Sequence, residues 1–406
     1  MLRDKHIGIF ITGGIASYKI PELARQLIKK GAMVRVVMSK AATEFITPLT
    51  MQILTKQAVL VDVFDEKNPA SVQHVEMADW VDMAVVVPAT ANIIAKMANG
   101  IADEIVSTTL LAVNKPRLIV PAMNTKMYDN PATQNNLETL AGYGDYIMEP
   151  ETGFLAEGYE GKGRLPELGS IVQMIEFLMA KHSYPQLLAN KKVVISAGAT
   201  KERIDPVRYI TNDSSGKMGY AMATAATWLG ADVTLVSSTQ RLTAPINTHV
   251  IPFENALELQ TAMETEAKQA DYVMMVAAVS DYRVAHPQEQ KIKKQHHQSN
   301  QLTLELIENP DILKGLAAQK NQQIMIGFAA ETENLIEHAQ AKLQRKKVDW
   351  IIANQVGKNH QTGFNTDDNQ VTLLSANGER FPLPLMSKLE TALAAWQIIA
   401  QTPLNK

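Results

Sequence analysis

Short, unbroken apolar runs, each ending in small or polar residues, recur along this chain and leave few folds open to it. In the first 150 residues they are HIGIFIT, MVRVVMS, MAVVVPA and PRLIVPAMN, separated by amphipathic stretches at 22–30, 91–98 and 132–141. A strand with one wet face alternates apolar and polar residues, whereas a run without alternation belongs to a strand covered on both faces. The pattern predicts an α/β, doubly wound parallel sheet with helices as the cover. It restarts with KVVISAGAT, ADVTLVSS, DYVMMVAAVSDY, QIMIGFAAET and DWIIANQ. Between the two series lie the Gly-rich PETGFLAEGYEGKGRLPE, a helix predicted at 170–181, and the Pro-containing KHSYPQLLANKK. The 406 residues suffice for two cores, so the expected division is a first domain over 1–180, a linker over 181–190 and a second α/β domain over 191–406.

Charge and cysteine content then exclude whole classes of function. The net charge of -3 provides no broad cationic field for nucleic acid or an anionic membrane, so any phosphate must be bound locally. No apolar stretch approaches the roughly 18 residues of a spanning helix, and MLRDKHIGIF runs straight into a strand, which leads to the expectation of a cytoplasmic protein. With no cysteine there are no disulfides, thiolate metal sites or thiol catalysis.

The first strand ends in TGGIASYK. It lacks the G-x-G-x-x-G spacing, and VVMSKAA stands where a second strand would end in a ribose-gripping carboxylate, which disfavours a nicotinamide dinucleotide. What remains is a small-residue turn at Thr12, Gly13, Gly14, Ala16 and Ser17, able to cradle one phosphate near a helix start or simply to reverse the chain. Pro21 leaves open where that helix begins. Other strand ends add Thr90, Ser107 and Thr108, Met123 and Asn124, and ligands of open α/β sheets bind at such ends. Thr90 and Ser107 also suit plain helix capping. His74, in SVQHVEMADW, is either a structural histidine or a base. In the second half, SSGKMG after a strand is a capped helix start or an anion site formed by backbone N–H groups, serines and Lys217; it is not a P-loop. Residues 283–301 are polar and cationic, either a solvated connection or a flap over a phosphate ligand.

GGIASYK, SVQHVEMADW, PATANIIAKMANGIADEIVSTTLLA, PAMNTKMY and GFLAEGYEGKGRL, in that order, resemble the flavin-dependent phosphopantothenoylcysteine decarboxylases. The second half resembles the phosphopantothenate-cysteine ligases, and the match runs nearly end to end in the order of the bifunctional bacterial proteins of coenzyme A biosynthesis. The resemblance implies two Rossmann-like domains, a flavodoxin-like flavoprotein domain followed by a nucleotide-dependent ligase domain. It implies FMN lined by Thr12, Gly13, Gly14, Ser39, Thr90 and Ser107, with His74 as the active-site base. Asn124, beside Met123, is implied to hold the substrate's carboxylate and amide. In such enzymes the flavin oxidises the substrate's cysteine side chain, carbon dioxide leaves, and the product is re-reduced. The family's clamp often carries a proton-donating cysteine; here that position is Glu157. A carboxylic acid donates there only where burial disfavours its ionised form, so Glu157 or Tyr159 is the expected acid, with Gly153, Gly158, Gly161 and Gly163 suiting a mobile lid. An impaired or regulatory first domain, and a peptidyl-cysteine decarboxylase, are the alternatives.

For the ligase half, AGATKERIDPVRYITNDSSGKMG, AAVSDYR, KIKK, ENPDIL, GFAAET and DWIIAN carry the resemblance. It implies CTP as activating nucleotide, an acyl-cytidylate, and attack by the amino group of cysteine. Asn212 is implied to contact that intermediate, Arg208 to support the same loop, and Lys291 to cover the activated acyl phosphate. Joining a carboxylate to an amine at the expense of a triphosphate calls for cations and a metal-binding carboxylate. Lys291, Lys293 and Lys294, then Lys346 and Lys347, supply the cations, and Asp281 is the expected ligand of Mg2+. Ala277, Asn309, Pro310 and Asp311, with Phe328 and Asn354, are expected to complete the nucleotide pocket. The resemblance further implies trimeric first domains and dimeric second domains, hence a homo-oligomer, a dodecamer, with small-molecule substrates and neither nucleic acid nor membrane as partner.

Overall fold

A computed structural model describes all residues except 66–70, 240, 294–301, 332, 356–362, 364–365 and 405–406. The chain divides into two compact units, Met1–His182 and Ser183–Lys406.

In the first unit the strands are β1 (His6–Ile11), β2 (Met33–Met38), β3 (Val59–Leu60), β4 (Met83–Ala89), β5 (Arg117–Pro121) and β6 (Tyr146–Ile147), in the order β3-β2-β1-β4-β5-β6. Every pairing is parallel. All seven residues of β4 are buried, which is why MAVVVPA shows no alternation. Helices α1 (Ile20–Lys29), α2 (Pro48–Thr55), α3 (Gln73–Trp80), α4 (Ala91–Asn99), α5 (Ile105–Ala112), α6 (Thr125–Tyr128), α7 (Pro131–Gly142) and α8 (Leu168–Ser183) complete the unit. Apolar side chains form separate clusters, with Ile7, Ile9 and Ile11 in one and Phe10, Val86 and Ile94 in the other, as alternate residues of one strand must when both faces are covered.

Pro21 settles the helix start. A short 3-10 turn over Ile15–Lys19 follows the glycines, and α1 begins at Ile20 with Pro21 in its first turn, where the missing N–H costs nothing. The predicted linker is partly absorbed: residues 181–183 finish α8, and Leu188, fully buried, donates its N–H to the carbonyl of Leu229. The segment expected to be a lid is a hairpin, β7 (Glu151–Phe154) against β8 (Glu160–Arg164). Two of its glycines serve close approach instead of motion. A Cβ on Gly161 would lie 2.2 Å from Thr125 Oγ1, and one on Gly163, at φ +149°, would lie 2.0 Å from the Met123 carbonyl oxygen.

The second unit carries β9 (Lys192–Ala197), β10 (Lys201–Arg203), β11 (Tyr209–Thr211), β12 (Asp232–Ser237), β13 (Thr248–Pro252), β14 (Tyr272–Met275), β15 (Tyr282–Val284), β16 (Leu306–Glu308), β17 (Ile324–Glu331), β18 (Trp350–Gln355), β19 (Asp368–Asn369), β20 (Val371–Ser375), β21 (Arg380–Pro382) and β22 (Met386–Ser387). Its helices are α9 (Lys217–Trp228), α10 (Ala256–Ala267), α11 (Ile312–Gln319), α12 (Leu335–Lys346) and α13 (Lys388–Gln401). The main sheet runs β13-β12-β9-β14-β17-β18-β20-β21, parallel as far as β18, after which β20 and β21 pair antiparallel. All five predicted strands lie in it. The polar stretch from 283 leaves β15 and returns through β16, its antiparallel partner. Among the described residues no helix is long and apolar enough to cross a membrane.

Candidate functional site

Each sheet reverses its winding beside its first strand, between β1 and β4 and between β9 and β14. At such a point the connections leave in opposite directions and open a crevice at the carboxyl ends of the strands. Several of the expected site residues stand at these two strand-end crevices, Thr12 and Thr90 at the first and Asn212, Asp281, Asn309 and Asn354 at the second.

In the first unit, Thr12 follows β1 and Thr90 follows β4. The Thr12 hydroxyl donates to the Pro88 carbonyl at 2.6 Å and accepts the Thr90 N–H at 3.1 Å, with the Thr90 hydroxyl 3.2 Å away. Thr90 makes no side-chain cap on α4. Gly13 is required by packing, since a Cβ there would stand 2.5 Å from Ala41 Cβ, whereas a Cβ on Gly14 would meet only ordinary contacts with Thr90 and Pro88. Ser39 and Ser107 are buried and occupied: Ser39 Oγ accepts the Ala42 N–H, and Ser107 forms a reciprocal capping box with Glu104. For these two, capping is what the geometry displays.

Asn124 caps α6, its Oδ1 accepting the Lys126 N–H at 2.9 Å. Its amide nitrogen donates to Glu157 Oε1 at 3.0 Å and to the Tyr159 hydroxyl at 2.6 Å, so the hairpin tip closes onto it. The neighbouring Met123 N–H donates to the Gly163 carbonyl at 3.0 Å. Glu157 and Tyr159 are both exposed in the single chain, so the burial that would make Glu157 a proton donor is not present within it. Among the described residues, two side-chain polar atoms of the first unit are buried without a partner, Nδ1 of His74 on α3 and Oγ1 of Thr125, the latter beside Gly161 of the hairpin.

In the second unit a cavity of about 920 Å³ opens at the ends of β9, β14, β17 and β18. Asn212, Ala277, Asp281, Asn309, Pro310 and Asp311 line it, as do Phe328, Lys346 and Asn354. SSGKMG lines it too: Gly216, at φ +79°, caps α9, while Gly219 lets α9 lie on β9, since a Cβ there would stand 2.5 Å from Ala197 Cβ. Asn309 is held by Asp281, whose carbonyl accepts its N–H at 2.8 Å, and its amide donates to the Ser280 carbonyl at 2.8 Å. Ser280 Oγ and Asn354 Oδ1 are buried without a partner, and both residues line the cavity. Natural proteins rarely leave such atoms orphaned, so each calls for a partner from within the cavity, a ligand group or an ordered water.

Among the described residues, five cationic side chains line the cavity: Lys217, Lys342, Arg345, Lys346 and Lys388. Asp311 caps α11 through the Lys314 N–H and pairs with Lys346 at 3.0 Å. Burial opposes its ionisation, but the Lys314 N–H and the Lys346 ammonium outweigh it and hold the carboxyl below the usual carboxylate range. Asp281 is exposed, and among the described residues no group of three or more His, Cys, Asp or Glu could hold a metal ion.

Lys291 is not among the cavity's lining residues. It is exposed, in a segment tied elsewhere: the Arg208 guanidinium donates to the Ile292 carbonyl at 2.7 Å, and Asp205 accepts the Ile292 N–H at 3.2 Å. Arg208 thus supports the Lys291 segment from outside the cavity, and Lys294 falls outside the described residues. Sequence reasoning missed Lys342, Arg345 and Lys388. For Lys388 a signal exists: MSKLE spells a capping box, Ser387 to Glu390, with a lysine at the first helical position, where the helix dipole disfavours a cation.

Comparison with known proteins covers both units. Residues 1–179 match the family described as Flavoprotein, and residues 188–402 match the DNA/pantothenate metabolism flavoprotein C-terminal domain. The chain is 44% identical over 401 residues to the coenzyme A biosynthesis bifunctional protein CoaBC of Bacillus subtilis, covering 98% of both. It is 45% identical over 399 residues to the Vibrio cholerae protein of the same name, again covering 98% of both. The crystal structure of the C-terminal domain of a CoaBC protein is 38% identical, with a TM-score of 0.45, over 53% of this chain and 96% of that one.

Proposed function

Because the chain belongs to the coenzyme A biosynthesis bifunctional protein family, with that family's decarboxylase and ligase functions, we propose how its two units divide the work. The second unit joins 4'-phosphopantothenate to cysteine at the expense of CTP, through an acyl-cytidylate. The first decarboxylates the product, 4'-phosphopantothenoylcysteine, with FMN.

The observation that carries this reading is the second unit's cavity, large enough for a nucleotide and, among the described residues, lined by five cations and containing two orphaned polar atoms. A triphosphate lies along SSGKMG at the N-terminus of α9, where backbone N–H groups and Lys217 receive phosphoryl oxygens. Asn354 Oδ1, an acceptor without a donor, suits the exocyclic amine of a cytosine ring. Asp281 would hold Mg2+ together with oxygens of the triphosphate, and the ion would supply neutralisation of the phosphoryl charge. Asn212 faces the activated acyl group, and Lys291 approaches it from the segment that Arg208 holds.

In the first unit, FMN when bound supplies the two-electron chemistry that loosens the substrate's carboxylate. The flavoprotein match and the open turn at Gly14 beside Thr12 and Thr90 support its place there, with Ser39 and Ser107 shaping the wall through their caps. His74, with Nδ1 unpartnered, takes the thiol proton, and Asn124 orients the carboxylate to be lost. The hairpin's Glu157 and Tyr159 reach Asn124, and one of the two, Tyr159 or a Glu157 that the oligomer buries, supplies the returning proton. Trimeric first units and dimeric second units close as a dodecamer in the cytoplasm.

One assay tests the whole. The chain is given phosphopantothenate, cysteine, CTP and magnesium, and products are read by mass. Wild type is expected to yield the decarboxylated product, and His74→Asn to stop at the acylated cysteine. No coupling with CTP, or decarboxylation by His74→Asn, refutes the corresponding half.

A further inference from the structure

Lys388 is a cation in an unusual place. It is 6% exposed, stands at the first position of α13, and lines the cavity of the second unit. Its ammonium donates to the carbonyl of Gly363 at 3.1 Å, to the carbonyl of Thr366, and to Thr366 Oγ1 at 3.4 Å. All three are neutral oxygens. Among the described residues no carboxylate lies within 4.0 Å of it, whereas Lys217, Lys320 and Lys346 each have one. Asp367 sits on the same loop, but its carboxylate is engaged by Lys217 at 2.7 Å.

A buried cation without a counter-charge is costly, and chains discard such groups unless something offsets the desolvation. Its surroundings add to the cost: burial first, then the positive charge of Lys217, push the Lys388 ammonium below the usual lysine range, against weaker support from Asp367 and Asp368. A bound polyanion removes that imbalance, because its field is little screened in a partly desolvated cavity.

We infer that Lys388 is a cationic positioning residue of the triphosphate subsite. With its hydrogen bonds it holds Gly363 of the cavity wall and Thr366 beside it, and its charge is compensated only when phosphoryl oxygens enter. This deepens, and rests on, the reading of the cavity as a nucleotide-triphosphate site; which base is preferred does not enter. Lys388 need not touch the ligand, since its three donors are already committed.

The test uses inorganic tripolyphosphate, titrated calorimetrically into the full chain as wild type, Lys388→Gln and Lys388→Arg, each also melted without ligand. Glutamine keeps donors for the loop carbonyls but loses the charge, so it is expected to weaken tripolyphosphate by about tenfold or more while the melting temperature stays close to wild type. Arginine keeps both and is expected to bind within a few-fold of wild type. Glutamine binding as tightly as wild type overturns the inference, as does arginine binding as weakly as glutamine. A glutamine variant unfolded at the titration temperature also counts against it, making Lys388 a folding residue. A wild type that binds tripolyphosphate yet does not prefer CTP over other triphosphates leaves the inference standing and refutes the CTP reading instead. No binding by wild type overturns both.

Discussion

Replacing Gly163 by alanine separates the hairpin's fit from its mobility. The new Cβ would stand 2.0 Å from the Met123 carbonyl oxygen, so β8 must retreat by roughly 1.3 Å to reach a carbon–oxygen contact of about 3.3 Å. Both partners are backbone, and no rotamer change relieves the clash. The retreat breaks the 3.0 Å bond from the Met123 N–H to the Gly163 carbonyl, a loss of about 1 kcal/mol. A side chain at φ +149° adds strain of about 1–3 kcal/mol. The expected total of about 2–4 kcal/mol lowers the first unit's melting temperature by roughly 5–15 °C where the hairpin melts with it. Function falls further than stability, because the same hairpin brings Glu157 and Tyr159 to Asn124. Decarboxylation is expected to drop at least about tenfold while ligation, in the other unit, is unchanged and serves as internal control. Gly158→Ala is the comparison. Gly158 has φ +88° but nothing within 4 Å of its Cβ position, so only strain of about 1–2 kcal/mol applies. Gly163→Ala with wild-type melting and decarboxylation, or Gly158→Ala equally damaging, would refute the close-approach account.

Two further outcomes follow from buried charges. Asp145, 8% exposed, is gripped by two guanidinium bonds from Arg117, and burial still pushes its carboxyl above the usual range; Arg117→Leu is expected to destabilise the first unit by about 3–5 kcal/mol, read by chemical denaturation. Asp205 is buried too, but the N–H groups of Val207, Arg208 and Ile292 outweigh burial and hold its carboxyl below the ordinary 3.8. Its contribution is therefore complete above that value and lost only as pH falls through the lower folded one. Protection of the Ile292 amide, its exchange measured against an unstructured chain at the same pH, should hold down to about pH 4 and fall below it, whereas Asp205→Asn should lower it at neutral pH; equal protection in both proteins would show that Asp205 does not hold this segment.

The elements that rest on local periodicity were legible in the residues themselves. β1, β4, β9 and β14 are covered on both faces and read as unbroken apolar runs, and from them came the α/β class, the two units and the crevices at the strand ends. The edge strand β13 and the antiparallel β20 and β21 were not predicted; β13 and β21 are largely exposed or half-buried and carry no such run.

At the sites the division is similar. The turn at Thr12–Gly13–Gly14, the position of Asn124 and the motifs lining the large cavity could be placed from the order of residues, because each sits at the end of a strand and the sheet fixes where strand ends meet. What the order of residues could not specify was which groups were already spoken for. Ser39 and Ser107 commit their hydroxyls to caps, Glu157 is exposed, and Lys291 lies off the cavity wall. Lys388, more than 150 residues beyond the SSGKMG turn, reaches the same cavity only because α13 packs against α9. Apolar period is a property of neighbours along the chain and is written there. Burial of a charge, the reach of a hairpin and the partner of a hydroxyl depend on residues far apart in sequence, and packing alone assigned them.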